Sequence, residues 1–302
     1  MAGFRWSRTP PPGYGGGVQR RLGEVDFVAL DVEATGPAFG HDRIIEVAAV
    51  RFRLGVGGHV VPGPTFEQLV HPGRRLPVLV SRLTGLTDAD LADAPSLDEV
   101  WPRLAEFLGA GALVLAHGAR ADVAWLAAES YRIGVAPLGA PFHCTLDLTR
   151  RAAPKAPSHT LFELARHFGA ADDAPRHRAL ADALHTRNVF ARCVALLDAR
   201  TLGDVALAKP LSWPLPAAFE VVVPERLHLL TEAIADGQRC TIIYKGGSLG
   251  RLPRPITPLG YYAQAGIAYV RAWCHVEDVG KAFRLDRIGR VEVPAPEPAE
   301  PV

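Results

Sequence analysis

Runs of apolar residues divide the chain before any chemistry is considered. Residues 27–32 and 44–52 are short apolar stretches with polar or Gly-containing borders, which predicts two strands; 65–70 predicts a third. Ser96-Leu97-Asp98-Glu99 fits a capping box, predicting a helix to Leu108, with Pro102 counting against an undistorted first two turns. Residues 113–116 read as a buried strand, followed by a helix over 121–132 and further helices over 160–168 and 178–197. Strands come first and then alternate with helices. This predicts an α/β fold with a mixed sheet over residues 22–200. Pro210, Pro214 and Pro216 interrupt any regular element, so 201–218 reads as a linker. Beyond it, 227–236 has a helical pattern, and short strands fall near 241–244, 267–274 and 281–285 between Gly and Pro turns. That describes a small, barrel-like β domain over 219–293.

Composition sharpens the ends. Residues 1–21 are rich in Pro and Gly and carry Arg5, Arg8, Arg20 and Arg21 with no acid, the pattern of a flexible basic arm. Residues 294–302 are Pro- and Glu-rich and read as a disordered tail. With 48% hydrophobic and 22% charged residues, a buried core is well supported. No apolar run is long enough for a membrane span, and the first 21 residues lack the apolar segment of a secretory signal; a cytoplasmic protein is expected. Cys144, Cys193, Cys240 and Cys274 form no Cys-x-x-Cys pair, so reduced core thiols are expected rather than a zinc ribbon. The formal net charge is +1, which at first argues against a polyanionic partner. The charge is segregated, however. Residues 239–290 hold nine cations against three acids, and the basic arm adds four cations more, so the remainder is acidic. That segregation favours a phosphate-backbone substrate.

The acids that carry chemistry begin at the first strand. Asp31 and Glu33 lie two apart at its end, and alternation puts i and i+2 on one face. Paired like charges there are unfavourable without a proton or a cation, and magnesium or manganese prefer such oxygen ligands. Spacing alone leaves open a solvated strand end with two unrelated acids. Two further segments add to the pair. His117-Gly118-Ala119-Arg120-Ala121-Asp122 follows the strand over 113–116, and His177-Arg178-Ala179-Leu180-Ala181-Asp182 opens an otherwise apolar helix. An acid among Ala and Leu is either exposed or held by a partner.

Together these segments resemble the DEDDh 3′–5′ exonucleases, the superfamily of polymerase proofreading subunits. The first motif matches as Asp31-x-Glu33-x-Thr35-Gly36, continued by Arg43-Ile44-Ile45-Glu46-Val47-Ala48; the second matches through Asp122, and the third through His177 and Asp182. Leu83-Thr84-Gly85-Leu86-Thr87 with Asp93-Ala94-Pro95, and His159-Thr160-Leu161, fit the connecting stretches. The resemblance implies an RNase H-like fold in which Asp31, Glu33, Asp122 and Asp182 bind two Mg²⁺ or Mn²⁺ ions and His177 is the general base. It implies release of 5′-mononucleotides from nucleic-acid 3′ ends, DNA being favoured and RNA a possible substrate. Thr35, Gly36, His117 and Arg120 are the expected substrate contacts. The family usually has Asn and Phe where this chain has Gly118 and Ala121.

The second domain resembles a WYL domain. The similarity rests on residues 240–244, on Arg254-Pro255-Ile256-Thr257-Pro258-Leu259, on 268–274 and on Phe283-Arg284-Leu285-Asp286-Arg287-Ile288. The eponymous tripeptide is altered to Ala268-Tyr269-Val270. The resemblance implies an SH3/Sm-like β-barrel that binds nucleic acid or a nucleotide effector, with Arg254, Tyr269, Arg271, Arg284 and Arg287 as ligand contacts. Two rival readings follow from the same residues: an exoribonuclease that trims RNA, and a catalytically weak nucleic-acid or ligand sensor. Gly246-Gly247-Ser248-Leu249-Gly250 matches the hydrolase G-x-S-x-G pattern, but Pro253 and Pro255 forbid the helix that motif requires.

Overall fold

The computed structural model describes residues 18–109, 111–170, 177–207, 210–247, 250, 252–264 and 266–293. Most of the expected basic arm (1–17) and the tail (294–302) lie outside the described residues. Two compact units are present: among the described residues, 18–37 and 42–215 form the larger, and 38–41 with 216–293 form the smaller.

The larger unit runs β1 (Phe27–Ala34), β2 (Ile44–Leu54), β3 (Val60–Leu69), α1 (Val78–Thr84), α2 (Asp88–Leu91), α3 (Leu97–Leu108), β4 (Leu113–Ala116), α4 (Arg120–Ile133), β5 (Phe142–Cys144), α5 (Leu146–Ala152), α6 (Leu161–His167) and α7 (Ala179–Leu196). Its sheet has the order β3-β2-β1-β4-β5. β1 pairs antiparallel with β2 and parallel with β4, so the sheet is mixed, as the strand pattern predicts. The expected capping box opens α3: the Ser96 amide and hydroxyl both donate to the Glu99 carboxylate at 2.8 Å.

Alternation along β1 decides where the chemistry can sit. Phe27, Ala29, Asp31 and Glu33 share one face. Phe27 stacks on Phe52 of β2 (5.4 Å between ring centroids) and meets Phe190 of α7 (5.1 Å). Ala29, Val50, Leu115, Ala183, Val189 and Val194 complete this core, all buried. α7 is thereby laid along β1 and β2, and the same strand face leads from apolar core to carboxylates. On the opposite face, Ile45 is buried with Val80, Leu86 and Leu91.

The segment expected to be a linker is packed for most of its length. Leu202, Val205 and Leu207 are fully buried in the core under α7. Leu202 and Gly203 donate backbone hydrogen bonds to Arg20 and Val18, the described end of the expected arm. Trp213 stands edge-on to Phe142, and the Tyr131 hydroxyl donates to the Pro214 carbonyl. Prolines stop regular structure here without stopping burial.

The smaller unit runs α8 (His228–Ala235), β6 (Cys240–Tyr244), β7 (Pro253–Gln264), β8 (Ile267–Cys274), β9 (Val279–Arg284) and β10 (Ile288–Glu292). Its sheet is antiparallel, in the order β10-β6-β7-β8-β9. Leu227, Leu230 and Ala233 bury one face together with Ile242, Ile256, Val270 and Phe283. The expected barrel is an open sheet: among the described residues β9 and β10 are not paired with each other. All four cysteines are free, and burial pushes Cys193 and Cys240 up to about 12 and 11, which makes them inert. No helix among the described residues is long and apolar enough to cross a membrane.

Candidate active site

The parallel pair β1 and β4 brings two carboxyl ends to one edge of the sheet. Asp31 and Glu33 occupy the last half of β1, and the turn after β4 delivers Asp122 into the first turn of α4. α7 starts over the same edge and carries Asp182 in its own first turn. The Val32 backbone N–H bonds the Asp122 carboxylate; the β1–β4 ladder has ended by then, at Ala29 and Leu115. Ligand atoms of Glu33, His177 and Asp182 lie within 4.8 Å of one another. Asp31 and Asp122 lie close enough to Asp182 to feel its charge, so the four acids and the histidine, distant in sequence, gather at one end of the sheet.

Burial makes this concentration of charge unfavourable. It is the first cause that raises every one of the four carboxyls: Glu33 to about 8, Asp122 to about 7, and Asp31 and Asp182 in the same direction. Asp31 is raised further by the charges of Asp122, Asp182 and Glu33. His185, one turn beyond Asp182, works the other way: its Nδ1 lies 3.6 Å from the Asp182 carboxylate and favours the ionised form. Four hard oxygen donors crowded where each disfavours the charge of the others are what a divalent cation satisfies. The donor set thus fits divalent metal.

The remaining expected contacts divide. Arg120 is exposed at the start of α4, two positions before Asp122. Gly36 follows β1 and is half-buried. Thr35 is closed into the turn instead: it is fully buried, its hydroxyl donates to Asp42 (3.2 Å), and it accepts from the Arg43 amide (3.0 Å). Its side chain ends the strand rather than lining a nucleotide. His117 is also committed. Nε2 donates to the His159 carbonyl (2.8 Å), and Nδ1 accepts from the Thr145 hydroxyl (3.0 Å). Burial lowers its pKa, so the ring is a neutral brace between the ends of β4 and β5. Gly118 has φ +81, a left-handed conformation that Gly and Asn tolerate best, so the departure from Asn leaves this turn intact. Ala121 is exposed.

Sequence reasoning missed the role of Glu46. It lies directly across from Glu33 on β2, fully buried, and takes three hydrogen bonds of 2.9–3.1 Å from the Arg178 guanidinium. A single acid inside the apolar run Ile44-Ile45-Glu46-Val47-Ala48 was the available signal.

In the smaller unit, Tyr269, Arg271 and Trp273 alternate with buried Val270, Ala272 and Cys274, so they share the outer face of β8. Tyr269 stacks on Tyr262 (5.1 Å, 14°), and Trp273 is 41% exposed. Arg287 is exposed. Arg254 is not available to a ligand: it is buried, lies over the Phe283 ring, and bonds Glu277 (2.9 Å) and Cys274 Sγ (3.1 Å). Inward alternation on β7 explains this. Arg284 is held by Asp286 through two hydrogen bonds of 3.0 and 2.7 Å.

Comparison with known proteins agrees with this geometry. Residues 28–190 match the exonuclease family model that includes RNase T, and residues 225–293 match the WYL domain model. The DNA polymerase III subunit epsilon of Aquifex aeolicus is 34% identical over 164 residues, 54% of this chain and 78% of that protein. A DNA polymerase III subunit epsilon-like protein of Rhodobacter capsulatus is 35% identical over 60% of this chain, but the match spans only 25% of that protein. Among solved structures, exonuclease I aligns with a TM-score of 0.51 at 17% identity, over 83% of this chain and 55% of that one. E. coli exonuclease I with a dA16 oligonucleotide aligns at 0.50 and 16%, over 83% and 55%. Both share the fold. With its four acids and histidine gathered at the end of β1, the chain belongs to the DEDDh, DnaQ-like family of 3′–5′ exonucleases, here joined to a WYL domain.

Proposed function

We propose that this protein hydrolyses phosphodiesters one nucleotide at a time from 3′ ends, with DNA as the favoured substrate. The observation that carries the reading is the convergence of Asp31, Glu33, Asp122 and Asp182 with His177 at one sheet edge. The four carboxylates are the residues that would hold two Mg²⁺ or Mn²⁺ ions. Such ions, when bound, polarise the phosphate and neutralise charge on the attacking and leaving oxygens. His177 then takes the proton of the attacking water, a task suited to an imidazole whose ordinary pKa is near ~6.5. Arg120 and Gly36 face the incoming strand. The preference for DNA is supported by the polymerase III epsilon names of the relatives.

The outer face of the WYL sheet is the second contact. Tyr269 and Trp273 offer stacking surfaces and Arg271 a phosphate donor there; exposed Arg287, in the turn between β9 and β10, offers a second donor. The test is digestion of 5′-labelled single-stranded DNA, duplex DNA and RNA of one sequence, with Mg²⁺ or Mn²⁺. A ladder shortening from the 3′ end, fastest on DNA and yielding 5′-mononucleotides, is expected. Internal cuts would contradict the polarity, and faster loss of RNA would contradict the substrate.

A further inference from the structure

His177 stands on unusual backbone. It has φ +57, left-handed, in a residue with a Cβ, and it lies one residue before Arg178, the N-cap of α7. That conformation is strained for a residue with a Cβ and persists only where the surroundings impose it. The imposing contact is at the next residue. Arg178 is extended (φ −119°, ψ 124°), and its guanidinium reaches from the start of α7 to β2. Nε lies 3.1 Å from both Glu46 oxygens and a terminal nitrogen 2.9 Å from one, while a second carboxylate, Glu67 on β3, lies 3.7 Å away. The Ala179 amide, the first of α7, donates to the same Glu46 carboxylate at 3.1 Å. Glu46 therefore caps the helix from a neighbouring strand, where the helix dipole favours a negative charge. Because Glu46 pairs in register with Glu33, the anchor for α7 is fixed to the strand that carries the acids.

We propose that Glu46 and Arg178 form a positioning clasp that sets His177 over the scissile phosphate. Neither residue touches the substrate. With Arg178 and the Ala179 amide both tied to β2, the peptide between His177 and Arg178 has little freedom, and the imidazole is directed toward Glu33 and Asp182. A planar fork is required, since only a guanidinium meets both carboxylate oxygens at once.

This inference rests on the reading of His177 as general base, and the experiment separates the two. Full-length R178Q, and E46Q/R178M, which removes both charges together, are each prepared alone and in the H177A background. Turnover of a labelled single-stranded oligonucleotide gives kcat and KM, calorimetry gives Mn²⁺ affinity, and circular dichroism verifies folding. In the native background kcat falls by about 10–100-fold, while KM and Mn²⁺ affinity stay within about threefold, and R178K restores part of the loss. In the H177A background the same changes cost less than about twofold, because a clasp that acts through His177 has nothing left to position. Equal losses in both backgrounds, or Mn²⁺ affinity falling in step with kcat, overturn the clasp and leave the base in place. Full activity of H177A alone overturns both.

Discussion

Glu33 keeps its proton to about pH 8 and Asp122 to about pH 7, where an unfolded chain releases them near 4.5 and 3.8. Between those limits the folded chain binds more protons than the unfolded one, so unfolding becomes easier as pH rises. Metal-free protein is therefore expected to lose thermal stability from about pH 4 to pH 8 through these groups. Added Mg²⁺ or Mn²⁺ should raise the melting midpoint, and more at pH 8 than at pH 6, because ligands bound only to the folded state stabilise it. D31N removes the carboxyl that the other three charges raise, so it should melt higher than the native chain in EDTA and lose most of the metal-dependent rise. Superposable melting curves with and without metal at pH 8 would refute this. So would a lower metal-free midpoint for D31N.

The elements hold these residues through packing, above all α7 against β1 and β2. Phe190 lies fully buried between Phe27 and Phe52 at 5.1 and 6.2 Å. F190A should cost about 3–5 kcal/mol in chemical denaturation and lower activity by loosening α7, whereas F190L should keep most of both. A cost below 1 kcal/mol for F190A would deny α7 this anchoring role. The elements most legible in the sequence are those of this core. β1, β2 and β4 are apolar runs, and α3 announces its start with Ser96 and Glu99. What escaped reading contains proline. The first half of β3 holds Pro62 and Pro64, yet among the described residues β3 pairs only with β2 and its register shifts there, so the missing donors are tolerated. β7 holds Pro253, Pro255 and Pro258; its ladder to β8 begins at Ile256, and Pro258 borders a bulge. The site follows the same division. Asp31, Glu33, Asp122, Asp182 and His177 are local patterns, whereas the bond from Arg178 to Glu46 crosses 132 positions and depends on β1–β2 register. No periodicity encodes it.

At the scale of the whole chain, a net charge of +1 conceals a division of labour. An acidic catalytic unit needs cations, and a basic one, with nine cations against three acids over residues 239–290, suits a phosphate backbone. In the inactive D31N protein, R271A should weaken oligonucleotide binding and reduce the slope of log affinity against log salt by about 0.7–1, the share of one phosphate contact. Y269A should weaken binding with little change in slope, since stacking releases no counterions. Unaltered affinity in both would remove the WYL face from substrate binding. The central claim is that four carboxylates and His177 form a working hydrolytic centre. Its most direct measurement is the rate of 5′-mononucleotide release from single-stranded DNA by native protein, D31N and H177A across a Mg²⁺ or Mn²⁺ titration. Release should require the divalent ion, vanish in D31N, and fall by about 10²–10⁴ in H177A. Undiminished release by D31N, or release by native protein in EDTA, would contradict it.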